Sequence, residues 1–121
     1  MRSGFERTLA TQLKRAKVSF EYESLKIPYV TNHMYVPDFI LDNGVIIEAK
    51  GYFRDPAEMA KMKAVKAQRP ELDIRFVFMD AHKKIPRQRG THAEWATRNG
   101  FPWASGAIPK EWYNDKNVGD S

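Results

Sequence analysis

Asp38, Glu48 and Lys50 fall within the stretch YVPDFILDNGVIIEAKG, Tyr35–Gly51, and their types and spacing suit chemistry built on a divalent cation. The stretch reads as two short apolar strands, Val36–Leu41 and Val45–Ala49, joined at Asp42-Asn43-Gly44. A three-residue loop with Gly44 in the left-handed conformation, open to glycine because it lacks a Cβ, pairs Leu41 with Val45. Asp38 then lies directly opposite Glu48, with Cβ atoms roughly 5 Å apart on one face of the sheet. Lys50, two positions beyond Glu48, shares that face. A two-residue loop would instead put Asp38 on the opposite face from Glu48. Like charges directly opposite each other are destabilising. A shared divalent cation held by carboxylate oxygens is the simplest reason to keep them. The plainer alternative is a Pro-Asp that starts a strand and a Glu-x-Lys that decorates a solvated face. Phe39-Ile40-Leu41 and Val45-Ile46-Ile47 weigh against it. Runs apolar on both faces belong to central strands, where charge is seldom left unpaired.

The elements that must position this hairpin are legible from their own signals. Ser3-Gly4-Phe5-Glu6 fits a capping box, and Phe5, Leu9 and Leu13 continue it as an amphipathic helix to about Ala16. Capping alone explains a glutamate at position 6. Val18, Phe20 and Tyr22 alternate with Ser19, Glu21 and Glu23 as a half-buried strand. Leu25 and Ile27 continue on the opposite parity, which predicts a bulge or flip near Ser24. Between Pro28 and Pro37 the pattern predicts a less regular connection, Tyr29–Val36.

Asp55, Pro56 and Glu58 give three start signals for a second helix: N-cap, first-turn proline and third-position acid. Its basic side, Lys61, Lys63, Lys66 and Arg69, reads as a solvated face, with phosphate contact as the alternative, and Pro70 stops it. Leu72–Met79 is the next strand. The loop His82–Gly90 carries Lys83, Lys84, Arg87 and Arg89 and no acid, which suits a clamp on backbone phosphates. Thr91-His92-Ala93-Glu94 is a further capping box, its helix ending at Asn99-Gly100. Phe101, Trp103 and Ile108 read as packing residues, Pro109–Trp112 as a short turn and 114–121 as a frayed tail. The order αβββαβα predicts an α/β fold with a mixed sheet whose two middle strands come from the central hairpin.

Composition narrows the classes. The 121 residues suffice for one compact domain and not two. With 42% hydrophobic and 12% aromatic residues the chain can bury a core, which excludes disorder. A net charge of +5 favours a polyanionic partner such as nucleic acid. The absence of cysteine excludes disulfides, thiolate metal sites and a cysteine nucleophile. Without a long apolar run or the apolar core of a signal peptide, the expectation is a cytoplasmic protein with no membrane association.

Pro37-Asp38 followed by Glu48-Ala49-Lys50 resembles the PD-(D/E)xK nuclease signature, and the element order resembles that superfamily's restriction-endonuclease-like core. Arg2–Glu6, Phe20–Glu23, Lys26–Val30, Glu71–Arg75 and Ile108–Trp112 resemble, in order, the phage endonuclease I family of Holliday-junction-resolving enzymes. The chain departs from that family in having few basic residues before its first helix or in its tail, and in a short Pro28–Pro37 connection.

The resemblance implies a hydrolase acting on branched double-stranded DNA with Mg²⁺ or Mn²⁺, encoded by a phage or prophage and working in the bacterial cytoplasm. Asp38 and Glu48 match the family's metal-binding carboxylates, Lys50 its active-site lysine, and Glu6 the acid of its first helix. It also implies an intertwined homodimer in which Glu6 completes the partner's site, and no small-molecule substrate. Asp38, Glu48 and the Ala49 carbonyl would bind the metal, with Glu6 helping a second ion, and Lys50 would orient water or offset charge on the transition state. Arg2, Lys83, Lys84, Arg87 and Arg89 are the candidate DNA contacts. Two other readings stay open: a sequence-specific homing or nicking endonuclease with the same site, and a non-catalytic DNA-binding module.

Overall fold

The computed structural model describes residues 3–30 and 33–114, Val30 by its backbone alone. In chain order the elements are helix α1 (Gly4–Arg15) and strands β1 (Phe20–Tyr22), β2 (Ile27–Val30), β3 (His33–Tyr35), β4 (Phe39–Leu41) and β5 (Ile46–Lys50). Helix α2 (Pro56–Gln68), strand β6 (Ile74–Phe78), helix α3 (His92–Arg98), strand β7 (Trp103–Ser105) and a 3-10 turn (Lys110–Trp112) follow. Five strands form one mixed sheet in the order β1-β4-β5-β6-β7. β1, β4 and β5 are antiparallel, and β6 and β7 add on parallel. Among the described residues, no helix is long and apolar enough to cross a membrane.

Local chemistry sets each boundary. The Ser3 hydroxyl accepts the Glu6 N–H at 3.0 Å and opens α1, whose buried side carries Leu9, Ala10 and Leu13. Asp55 caps α2 by accepting the Ala57 N–H at 2.9 Å. Thr91 and Glu94 complete a reciprocal capping box on α3. Side chains on alternate strand positions serve two cores. Ile46, Ile74, Phe76 and Phe78 pack with Met62, Val65 and Trp95 on the α2–α3 side. Phe39, Leu41, Ile47 and Val77 pack with Leu9, Leu13 and Trp112 on the α1 side. Burying both faces is what makes β5 and β6 read as nearly continuous apolar runs.

The central hairpin has the three-residue loop. Gly44 sits at φ +92°, its N–H reaches the Leu41 carbonyl at 2.9 Å, and the Leu41 N–H reaches the Val45 carbonyl at 2.9 Å. Asn43 ties this turn to the Trp112 carbonyl at 2.9 Å and caps the Val45 N–H at 3.0 Å. The register, Phe39 opposite Ile47 and Ile40 opposite Ile46, places Asp38 opposite Glu48.

The structure differs from the sequence reading in three places. The connection expected to be irregular between Pro28 and Pro37 holds a second, two-stranded sheet, β2 with β3. Pro28 hid it, since proline lacks a ladder donor and is tolerated only at an edge. Its carbonyl accepts from the Arg69 side chain at 2.9 Å, joining this hairpin to the end of α2. Near Ser24 the backbone turns at Glu23, φ +48°, and leaves the main sheet rather than bulging within it. Trp103–Ser105, read only as packing, is the parallel edge strand β7, a segment too short to show an alternation. The order αβββαβα therefore becomes αβββββαβαβ.

Because Gly44 fixes the register from a left-handed conformation, Gly44→Val should destabilise the fold by about 1–2 kcal/mol or more. Nothing lies within 4 Å of a Cβ built there, so the cost is backbone strain rather than a clash. The midpoint of urea unfolding is the measurement, and an unchanged midpoint would contradict this account.

Candidate active site

The open ends of β4 and β5 bring the charged residues of the hairpin to one cavity of about 340 Å³. Glu48 lies on the α2-facing side of β5, in phase with Ile46 and Lys50. Ala49 packs on the α1 side. The two facing carboxylates are held by each other's backbone. The Ala49 N–H donates to Asp38 Oδ2 at 2.9 Å, and the Asp38 N–H donates to Glu48 Oε2 at 3.2 Å. The hydroxyl of Tyr35, at the end of β3, donates to the same Glu48 oxygen at 2.6 Å.

Glu6 arrives from the first turn of α1, and its Oε1 accepts the Tyr22 hydroxyl at 2.6 Å. Asp38, Glu48 and Glu6 are only 7%, 6% and 8% exposed. One oxygen each of Glu6, Glu23 and Asp38 lies within 4.8 Å of the others, a spacing that one cation could bridge. Hard carboxylate oxygens throughout are the donors Mg²⁺ prefers.

Asp38, Glu48, Ala49, Lys50 and Glu6 thus all line this cavity. Lys50 Nζ pairs with Glu58 Oε2 at 3.2 Å and stands 5.6 Å over the Phe53 ring. Lys61, expected on a solvated face, also lines the cavity. Lys83, Lys84, Arg87 and Arg89 are exposed on the loop before α3 and do not line it. Arg2 lies outside the described residues.

Four participants carried other readings in the sequence. Glu58 looked like a capping residue, but Asp55 alone caps α2 and leaves Glu58 to Lys50. Glu23 lay on the outward parity of β1, and only its positive φ turns it toward Asp38. Tyr22 and Tyr35 sit where strands bury apolar residues, so nothing in the pattern marked their hydroxyls.

The sequence model of the family described as phage endonuclease I matches residues 1–119. The chain belongs to the phage endonuclease I family. It is 38% identical over 118 residues to endonuclease I of Escherichia phage T7, covering 94% of this chain and 78% of that protein. It is 39% identical over 112 residues to endodeoxyribonuclease 1 of Enterobacteria phage T3, covering 89% of this chain and 73% of that one.

Electrostatics distinguish the carboxylates of this family member. Burial, then the charge of Glu48, pushes the Asp38 carboxyl up to about 8, with the Ala49 N–H pulling the other way. Burial raises Glu48 too, opposed first by the Tyr35 hydroxyl and then by Lys50. Tyr35 is raised by its own burial and next by the charge of Glu48. These are carboxylates that water no longer stabilises, and a nearby cation would favour their ionised forms.

A raised carboxyl stabilises the fold below its unfolded pKa, and that contribution is lost as pH rises through the folded pKa. For Asp38 the window runs from its ordinary 3.8 to about 8. The metal-free protein should therefore melt at progressively lower temperature across that window in EDTA. Asp38→Asn should flatten the trend, and Mg²⁺ should raise the melting temperature most at its alkaline end. A flat profile for the unsubstituted protein would refute the raised Asp38 carboxyl and its cause in burial.

Proposed function

We propose that this protein is a metal-dependent, structure-selective DNA endonuclease that hydrolyses phosphodiester bonds at Holliday junctions and other branched DNA in the bacterial cytoplasm. The observation that carries the reading is the set of buried carboxylates sharing one cavity with Lys50, in a chain whose relatives are endonucleases. The carboxylates at the mouth of a β4–β5 hairpin, with α1 before it and α2 and β6 after it, support a PD-(D/E)xK, restriction-endonuclease-like core.

Asp38, Glu48 and the Ala49 carbonyl would hold Mg²⁺, with Mn²⁺ as substitute, and Glu6 with Glu23 would join Asp38 around a second ion. Bound there, the metal supplies an acidified water and neutralises charge on the phosphate. Tyr35 and the Asp38 N–H fix the Glu48 carboxylate, as outer partners of metal ligands do. Glu58 keeps the Lys50 ammonium at the cavity, where it can orient the attacking water or offset charge on the phosphorane-like transition state. Lys83, Lys84, Arg87, Arg89 and Arg2 would contact backbone phosphates, giving an affinity that falls with salt.

The test uses a synthetic four-way junction and a linear duplex of the same sequence, each incubated in Mg²⁺. Paired nicks near the branch are expected, absent from the duplex and from Glu48→Ala. Cutting at one duplex site with indifference to the branch would replace this substrate with a sequence-specific one. Lys50→Ala should keep junction binding and lose about 10²–10³-fold in cleavage rate, the scale of one transition-state donor.

A four-way junction has two-fold symmetry and needs two nicks, so the proposed active form is a homodimer. In an intertwined dimer that exchanges α1 and β1, Glu6 would serve the partner's cavity. Equal amounts of Glu6→Ala and Glu48→Ala protein, refolded together, would then regain nicking, because one cavity of the mixed dimer has both carboxylates. With Glu6 acting in its own chain, where one of its oxygens lies within 4.8 Å of an Asp38 oxygen, every cavity would lack one and the mixture would stay inactive.

A further inference from the structure

We propose that Tyr52, Arg54 and Lys83 form a clamp for a DNA backbone phosphate beside the carboxylate cavity, with the Tyr52 ring arranging two cations. The inference rests on the nuclease reading and extends it to the strand that leaves the reacting phosphate. Lys83 Nζ lies 4.4 Å from the Tyr52 ring centroid, and Arg54 Cζ lies 5.5 Å from it. Neither cation makes an ion pair among the described residues, whose pairs join Lys50 to Glu58, Arg69 to Glu71 and Arg75 to Asp73.

The two segments carrying these side chains are distant in sequence and are pinned to one buried imidazole. His92 Nε2 accepts the Phe53 N–H at 3.0 Å. Its Nδ1 lies 2.7 Å from the Lys83 carbonyl, and that oxygen, which can only accept, requires the proton on Nδ1. The ring also stacks on Phe53 at 5.6 Å between centroids and 8° between planes. Tyr52, Arg54 and Lys83 are therefore presented by backbone that the core holds, not by free loop ends.

A groove of about 880 Å³ runs along the Tyr52 and Arg54 arm of the clamp, while Lys83 lies outside its lining and joins the clamp through the Tyr52 ring. Lys50, Gly51, Tyr52 and Arg54 line one side of it and the first turn of α1 another. It shares Glu6, Ala49, Lys50 and Glu58 with the carboxylate cavity, so the two spaces adjoin. A free anion would occupy only one of these spaces. A nucleic-acid strand, with phosphates repeating along it, fills both at once. Two positive charges near one ring repel each other, and a phosphate that contacts both would offset that repulsion. The ring face attracts both cations and limits their rotamers before binding, which lowers the ordering cost when the phosphate arrives.

The experiment measures binding of a labelled four-way junction over a range of salt, in Ca²⁺ to hold off cleavage. The unsubstituted protein is compared with Tyr52→Ala, Tyr52→Phe and the double variant Arg54→Ala/Lys83→Ala. The double variant releases one phosphate per protomer, two for the junction-bound homodimer, and should reduce the slope of log K against log salt by about 1.8. Tyr52→Ala, which removes no charge, should reproduce most of that reduction. Tyr52→Phe, which keeps the ring face, should restore the unsubstituted slope. In Mg²⁺ the loss should fall on KM for the junction rather than on kcat. An unchanged slope in the double variant, an unchanged slope in Tyr52→Ala, or a Tyr52→Phe as weak as Tyr52→Ala would each overturn the clamp. Unsubstituted protein that neither binds nor cuts branched DNA would instead sink the nuclease reading on which the clamp rests.

Discussion

Two carboxylates facing each other across the β4–β5 hairpin are the constraint on which the rest of the structure turns. Side chains of Asp38 and Glu48 take the Ala49 and Asp38 amides, so the ladder ends in carboxylate oxygens where another strand pair would have used carbonyls. The amides are satisfied and the charges are close, and neither condition can be relaxed alone. Moving the carboxylates apart would orphan buried N–H groups, and replacing them would remove the acceptors. The turn must then hold the register to the residue. Gly44 does so with its left-handed backbone, and Asn43 does so through its bonds to Val45 and Trp112.

The apolar layers serve the same constraint. β5 is buried on both faces, with Ile46 toward α2 and Ile47 toward α1. Water is thereby kept from the strand that carries Glu48, and this exclusion lifts both carboxyls above their ordinary range. Two tyrosine hydroxyls, from β1 and β3, then define single oxygens of Glu6 and Glu48 at 2.6 Å. Hydrogen bonds to a desolvated carboxylate are strong and directional. Each acid is thus fixed in place as well as buried.

The sequence exposed the parts of this arrangement that local rules govern. Capping signals located all three helices, and the Asp42-Asn43-Gly44 loop narrowed the register to two, of which the three-residue one, found in the structure, places Asp38 against Glu48. It concealed the parts that depend on distant packing. Pro28 disguised β2 because a ladder position without a donor looks like a break. β7 is an edge strand of three residues with no alternation to read. Glu58 satisfied a local rule, the third helical position, while its actual partner is Lys50 in the preceding strand. Glu23 sat on the outward parity, and a single positive φ reversed that inference. The family resemblance supplied Glu6, whose local explanation as a capping residue was already sufficient.

The site also divides along the chain in a way that bears on assembly. Glu6, Tyr22 and Glu23 come from α1 and the β1 strand with its turn. Asp38, Glu48 and Lys50 come from the hairpin, and β2 and β3 intervene. The first group meets the second through the Glu6–Glu23–Asp38 cluster and through the bond of the Glu23 N–H to the Asp38 carbonyl at 3.2 Å. In an exchanged dimer that kept the β1–β4 register of this chain, the same contacts would form with the first group supplied by a second copy. The intervening β2–β3 hairpin has its own ladder and its own anchor on α2 through Arg69. Pairing within that hairpin keeps its ends close together, whereas an exchanged arrangement needs the segment to reach between subunits. In the proposed homodimer, the competition between the hairpin's ladder and an extended bridge would therefore decide whether a cavity is completed by its own chain or by a second one.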